Sequence, residues 1–395
     1  MGVLVITTPM GAVTSSPSTT ILSKKFVVGV KKMAELWGGP VRCVLPPSAG
    51  SAANLEDHAY TRDELPFELV IADFQSGAYQ KAVEDAVVVS GCEHHQLHWM
   101  ARFCKQRGIA FVPVFENALP NRLRMILVEE PPSFRRARRL AWTVQDGLKD
   151  YINAWQSTGI QCNGTPAYKQ YRWLSRDALL FFDSRVTTNM VPTDSEVRAR
   201  VWARPAGEPI RLAFSGRFIK IKGADHLPAV AAQLRECGVA FELHLYGAGP
   251  LEAAMRQAAR HRGVEAHLVW HGAVDFATKL LPELRKGIDL FVTCHRQADP
   301  AGTYVETLSC GVPIAGYGNE AFRGVLSHAN CGWFAPIDNV DALTAIISKF
   351  ANDRTELERA SLAAVNFGRA HTFERTFAAR IEHYRRAAAI RPARA

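Results

Sequence analysis

No stretch of the 395-residue chain stays apolar for anything near the roughly 20 residues that a membrane-spanning helix needs. The opening Met1-Gly-Val-Leu-Val-Ile-Thr has neither the basic flank nor the cleavage site of a signal peptide, and it predicts a first buried strand. Myristoylation is excluded as well, because Ile6 stands where Ser or Thr is required. Cysteine is sparse. Eight are scattered with no C-x-x-C pair, which argues against a disulfide framework and predicts reduced, mostly buried thiols in a cytoplasmic protein. The sequon Asn163-Gly164-Thr165 is then accidental. Short repeats and low-complexity tracts are lacking, so disorder is not expected.

Acid is also in short supply: 38 Asp and Glu against 47 Lys and Arg leave a net charge of +9. That excess favours anionic partners such as nucleotide phosphates, lipid diphosphates or an anionic membrane. Nucleic acid belongs to the same charge class, but no element here points to it.

What the chain does contain is an alternation of short β-branched runs with helix-period stretches. Strands are expected at 3–7, 41–45, 67–73, 86–90, 110–115 and 179–183, then at 210–215, 241–246, 267–270, 288–292 and 313–317. Helices are expected between most of them, for example over 20–36 and 95–107. Continuous apolar strands separated by helices predict two parallel sheets, each covered on both faces. Prolines 192, 205 and 209 interrupt a charged stretch between the halves. The expected organisation is a first domain over 1–190, a linker over 191–209, a second domain over 210–370 and a final helix over 371–395. Phe373, Phe377, Ile381 and Tyr384 form one stripe on that helix, which is expected to return to the first domain.

Three segments carry candidate chemistry. Ser215-Gly216-Arg217-Phe218-Ile219-Lys220-Ile221-Lys222-Gly223 follows a strand directly. Gly216 permits a sharp turn at the strand's carboxyl end, and Arg217 and Lys222 place two cations there, suited to a diphosphate or simply solvated. Next, Gly247-Ala-Gly249-Pro250 is a partial dinucleotide fingerprint whose third glycine is replaced by Glu252, so tight turning is its simpler role. Finally, a helix is expected to begin at Thr303, after small Ala301 and Gly302, and to end before Gly311, and its first amides favour an anion. Glu306 on that helix either closes a capping box with Thr303 or accepts hydrogen bonds from a ribose.

In their order and spacing over about 210–335, these segments resemble the retaining glycosyltransferases of the GT-B fold, family 4. The matching residues are Gly216, Arg217, Lys222 and Gly223; Gly247, Gly249 and Pro250; Gly272 and Val274; and Glu306, Cys310, Gly311 and Pro313. The resemblance implies two Rossmann-like domains facing a cleft. It implies metal-independent transfer of a sugar, with retention, from a nucleoside diphosphate sugar such as a UDP- or GDP-sugar to a glycan or lipid-linked acceptor. In residue terms, Arg217 and Lys222 would hold the diphosphate and Glu306 the ribose. Backbone at Val274 would meet the base, and Gly302 and Thr303 the sugar and phosphates. Gly11, Gly216 and Gly249 would line the donor site.

The sequence departs from the family at two points. Ala298 stands where the family's first glutamate would touch the sugar, with Asp299 next to it as a substitute. Glu116 occupies the place of a family histidine, and His94 is a candidate for the same side of the cleft. A metal at His94 and His98 is not expected, since the metalloprotease spacing fails. Alternative readings are a sugar-nucleotide epimerase of the same fold, or a silent nucleotide-sugar-binding protein; an NAD-dependent oxidoreductase lacks its fingerprint. Arginines 122, 124, 135, 136, 138 and 139, interleaved with Phe134, Leu140, Trp142 and Val144, read either as a solvated face or as a peripheral contact with an anionic membrane.

Overall fold

Strand β1 (Val3–Thr7) is wholly apolar through Ile6 and lies between β4 (Val41–Leu45) and β7 (Ala86–Cys92), pairing with both in parallel. Burial on both faces accounts for that unbroken apolar run. In the computed structural model, which describes residues 1–16, 18–48, 57–205, 207–298 and 302–390, this is the centre of a seven-stranded parallel sheet. The sheet is completed by β6 (Glu68–Ile71), β8 (Ala110–Phe115), β9 (Ile160–Asn163) and β10 (Ala178–Phe181), in the order β10-β9-β8-β7-β1-β4-β6. A second parallel sheet holds β11 (Ile210–Ser215), β12 (Phe241–Tyr246), β13 (Leu268–Gly272), β14 (Leu290–Thr293), β15 (Ile314–Tyr317) and β16 (Gly332–Ala335), in the order β13-β12-β11-β14-β15-β16. Both are flanked by helices, as the alternation predicts.

The structure corrects three local expectations. The helix expected over 20–36 begins only at Lys24 and runs to Trp37, because Thr19–Ser23 forms a strand. That strand, β3, pairs antiparallel with β2 (Val13–Ser16) and β5 (Asp57–Thr61), so pairing on both sides overrides the helical pattern. The helix expected over 95–107 is α-helical only over Met100–Arg107; before it, the His94 ring accepts from the Gln96 N–H and tightens His95–Leu97 into a single 3₁₀ turn. Strand β9 was not anticipated because it reads Ile-Gln-Cys-Asn. Gln161 is buried there only because its amide donates to the Arg380 carbonyl and accepts from the Arg380 guanidinium (3.1 and 2.8 Å).

The proline-punctuated stretch between the sheets contains a helix, Asp194–Ala203, opened by a capping box between Thr193 and Glu196. Its buried Arg200 donates to the carbonyls of Cys310 (2.9 Å) and Gly311 (2.5 Å), capping the far end of helix Gly302–Ser309. Burial lowers the pKa of Arg200 to about 10, still high enough to keep it charged. The last helix, Phe373–Ala389, returns to the first sheet. Phe377, Ile381 and Tyr384 join a core with Leu4, Val30 and Val88, and the Tyr384 hydroxyl bonds Ser90 Oγ at 2.8 Å. Tyr384→Phe should cost about 1–2 kcal/mol, since it strands a buried Ser90 hydroxyl; denaturant unfolding of the two proteins measures it.

Candidate functional site

The carboxyl ends of the second sheet are brought together by glycines. Gly216 (φ 152°) ends β11 and donates to the Tyr246 carbonyl (2.9 Å), while Gly247 (φ 142°) donates to the carbonyl of Gly272 (2.7 Å). A Cβ on Gly247 would lie 2.0 Å from the Gly216 oxygen, and one on Gly249 2.6 Å from the Phe218 oxygen. One on Gly223 would lie 1.9 Å from the Cys294 oxygen. Three strand-end loops therefore pack backbone on backbone, a separation only glycine allows. This is the turning role expected of the partial fingerprint. Arg217 is exposed on this rim, and Lys222 ends the 3₁₀ turn Lys220–Lys222. Val274 is half-buried just beyond Gly272.

Gly302 and Thr303 are the first two residues of helix Gly302–Ser309. Thr303 thus lies inside the helix and does not cap it. Glu306 gives both oxygens to Arg185, with Nε at 2.8 Å from Oε1 and Nη2 at 3.3 Å from Oε2, so the capping box is not formed. Arg185 also lies over the Phe276 ring, 3.9 Å from its centroid. Two residues earlier, Asp183 pairs with Lys25 at 2.7 Å. Burial pushes the Asp183 carboxyl up, but Lys25 outweighs it and holds the pKa below the usual range. Nothing in the sequence singled out Arg185, although its place four residues after the end of β10, in the crossover to the second domain, is a usable signal. Asp299 lies outside the described residues. The backbone N–H of Ala298 donates to Asn121 Oδ1 of the first domain (2.7 Å, both residues buried), so here the main chain links the domains.

His295 was also missed. It is wholly buried behind this rim with neither ring nitrogen partnered, and burial, reinforced by Lys222, pulls its pKa well below the ordinary value.

Across the cleft, at the ends of β1, β7 and β8, lies a cavity of about 730 Å³ that Glu93, His94, Glu116, Arg122, Asp146 and Asp183 help to line. The expected Glu116 and His94 thus share one cavity. Arg217, Lys222 and Glu306 do not line it, but Asp183 borders it two residues before the Arg185 clasp. Glu116 accepts from Asn163 Nδ2 (3.2 Å), and burial lowers the pKa of His94, whose ring packs at a tilt against Phe74 and His95. Gly11 approaches Ser48 closely: a Cβ there would stand 2.5 Å from the Ser48 Cβ.

His98, Asp146 and Asp150 place ligand-type atoms within 4.8 Å of one another. His98 Nε2 lies 3.1 Å from Asp150 Oδ1, and Arg122 bonds the other oxygens of both aspartates. A guanidinium already balances this charge, so these residues fit an ion network better than a cation site. His94 is not a member of this cluster, although it lies near enough to feel the charges of Asp146 and His98.

Glu93 Oε2 accepts from the N–H groups of Glu116 and Asn117 (3.0 and 3.1 Å). Burial, abetted by Asp150, still pushes its pKa up to about 7. Between the ordinary 4.5 and about 7 the folded chain therefore holds a proton that the unfolded chain has released, so this group's contribution to stability falls as pH rises through that window. Glu93→Gln should remove that slope, and melting temperatures of both proteins from pH 4.5 to 8 test it. Parallel curves would refute the assignment.

Residues 199–366 match the family Glycosyl transferases group 1. The chain is similar to 2-deoxystreptamine N-acetyl-D-glucosaminyltransferase of Streptomyces fradiae, at 28% identity over 200 residues covering 49% of this chain and 45% of that protein. It is also similar to 2-deoxystreptamine glucosyltransferase of Streptomyces kanamyceticus, at 28% identity over 112 residues and 28% of each chain. Each match spans less than half the relative's length. Among solved structures, Anabaena HepE in complex with UDP superposes with a TM-score of 0.67 at 12% identity, covering 97% of this chain and 98% of that one. Sucrose-phosphate synthase of Thermosynechococcus elongatus superposes with a TM-score of 0.65 at 14% identity, covering 98% of each. WaaG, a glycosyltransferase involved in lipopolysaccharide biosynthesis, gives 0.58 at 12% identity, covering 99% and 100%. At these identities the structural likeness speaks for the fold alone. The chain therefore has the GT-B fold, and its second half contains a group 1 glycosyltransferase domain.

Proposed function

We propose that the chain transfers a glycosyl group, with retention and without a metal ion, from a nucleoside diphosphate sugar to a hydroxyl of a glycan or lipid-linked acceptor. One observation carries this reading: a group 1 domain presents the Gly216–Gly223 loop, with Arg217 and Lys222, and the start of helix Gly302–Ser309 at one end of a parallel sheet, opposite a large cavity in the other domain. The family 4 resemblance and the UDP seen in the HepE complex support a nucleotide-sugar donor.

As the bond from the sugar to the diphosphate breaks, charge grows on the leaving oxygen. Arg217, Lys222 and the first amides of the helix offset that charge in place, with no reorganisation. On the retained face the acceptor oxygen bonds to the anomeric carbon, and its proton passes to the departing phosphate oxygen. Glu306 would receive the ribose hydroxyls, with Arg185 yielding one or both carboxylate oxygens as the donor enters. Val274 would meet the base, and Gly11, Gly216, Gly249, Gly302 and Thr303 would line the donor path, with Asp299 on the sugar side. The cavity of Glu116 and His94 would take the acceptor. All eight cysteines are free, in keeping with the cytoplasmic location proposed here. No described helix is long and apolar enough to cross a membrane.

A second acceptor reading has its own observation. Both curated relatives are named for 2-deoxystreptamine, and Glu116 and Glu129 put carboxylates on the cavity that suit an amine-bearing acceptor. Incubation with UDP-sugars and either 2-deoxystreptamine or a lipid-linked glycan separates the two.

Arg217→Ala should lower kcat by a factor of roughly 10² to 10³, equivalent to about 3–4 kcal/mol, with an unchanged melting temperature. Turnover like that of the wild type would remove Arg217 from the diphosphate site.

A further inference from the structure

The longest helix of the first domain, Phe134–Gln156, is inverted relative to an ordinary surface helix. Its inward face is polar: Thr143, Asp146, Asp150 and Asn153 are all buried. The two aspartates are held there by Arg122 and His98. The apolar residues point outward. Phe134, Val144, Leu148, Ile152 and Trp155 are between 40% and 85% exposed and, with exposed Ala137 and Ala141, recur every three or four residues. They form one ridge along the helix, about 35 Å long at 1.5 Å per residue. The turn Arg172–Leu174 packs against this helix and adds Trp173, which is 76% exposed under the Arg172 guanidinium. Isolated exposed apolar residues need no explanation, but a continuous ridge marks a surface that something covers.

The charges beside the ridge select its occupant. The only acids in the helix, Asp146 and Asp150, face inward, and its exposed charges are Arg135, Arg138 and Lys149, with Arg139 paired to Glu130 and lining the cavity. Arg172 lies over Trp173, and Lys169 and Arg176, within four residues of it in the chain, are exposed as well. Two copies of the chain docked through this face would oppose cation to cation. An anionic lipid surface satisfies both the ridge and its flanks: apolar side chains enter the acyl boundary, tryptophans sit at headgroup depth, and the cations meet phosphates.

We infer that the outer face of Phe134–Gln156, with Trp173, docks the protein on an anionic lipid surface, the helix lying along it. The sequence left the arginine-rich stretch open between a solvated face and a membrane contact. The structure selects Leu148, Ile152, Trp155 and Trp173, and turns Trp142 to the cavity instead. The inference does not depend on the proposed transfer reaction. It does place the cavity wall built by Asp146 and Thr143 on the same helix that meets the lipid.

Co-sedimentation of the full chain with vesicles tests it, without measuring glycosyl transfer. Vesicles of phosphatidylglycerol and phosphatidylcholine should bind the protein at least tenfold more tightly than phosphatidylcholine alone, and added salt should weaken the binding. The combined variant Leu148→Glu, Ile152→Glu, Trp155→Glu should lose roughly tenfold or more. A milder pair, Ile152→Ser with Trp155→Ser, should lose part of the binding while melting like the wild type, which excludes misfolding as the cause. No binding to anionic vesicles, or unchanged binding in both variants, would overturn the inference. So would a dimer in light scattering that the same substitutions convert to monomer, since a second copy would then be the occupant.

Discussion

Glu306 is buried at 9% exposure on a helix of the second domain, and its carboxylate is balanced by the Arg185 guanidinium on the crossover from the first. A nearly desolvated carboxylate without such a partner would be costly, so this bidentate pair constrains where the two sheets sit relative to each other. Arg185 is placed in turn by the Phe276 ring, and its neighbour Asp183 by Lys25. Charges thus alternate from Lys25 through Asp183 and Arg185 to Glu306, from the cavity edge to the proposed donor helix. In the proposed reaction a donor ribose would compete with Arg185 for the same carboxylate, and donor arrival would then be coupled to the interdomain contact.

The second domain builds its strand-end rim from backbone contacts that leave little freedom. Glycines at 216, 223, 247 and 249 let strand-end loops touch main chain to main chain. Arg200, from the segment between the sheets, satisfies the carbonyls at the far end of helix Gly302–Ser309. Asn121 bonds the Ala298 N–H, and at Gly324 an added Cβ would strike Thr165 Oγ1, so the domains touch closely on two further sides. A site built from small pieces of many loops is held in register by such close contacts.

The first domain is organised by a different rule. Glu93, Arg122 and Asp146 on its cavity wall belong to an ion network completed by Asp150 and His98, and satisfying it requires helix Phe134–Gln156 to turn its polar side inward. The outward apolar ridge is the consequence. One helix therefore serves both the pocket and the outer surface.

The two parallel sheets, the returning helix and the glycine and cation positions of the second domain are legible along the chain alone. Those features are local: apolar runs of strand length, a stripe on Phe377, Ile381 and Tyr384, and turn residues directly after strands. Features whose partners lie far apart in the chain emerge only once it is folded. Thr19–Ser23 is a strand because β2 and β5 flank it, and Gln161 belongs in a strand because the last helix, about 220 residues on, meets its amide. Glu306 clasps Arg185 across 121 positions. Helix Phe134–Gln156 is amphipathic in the sequence alone, but which side faces inward depended on Arg122 and His98 being there to receive its aspartates. Periodicity reports that a helix has two faces. Buried charge, which must find its partner, decides which one is inside.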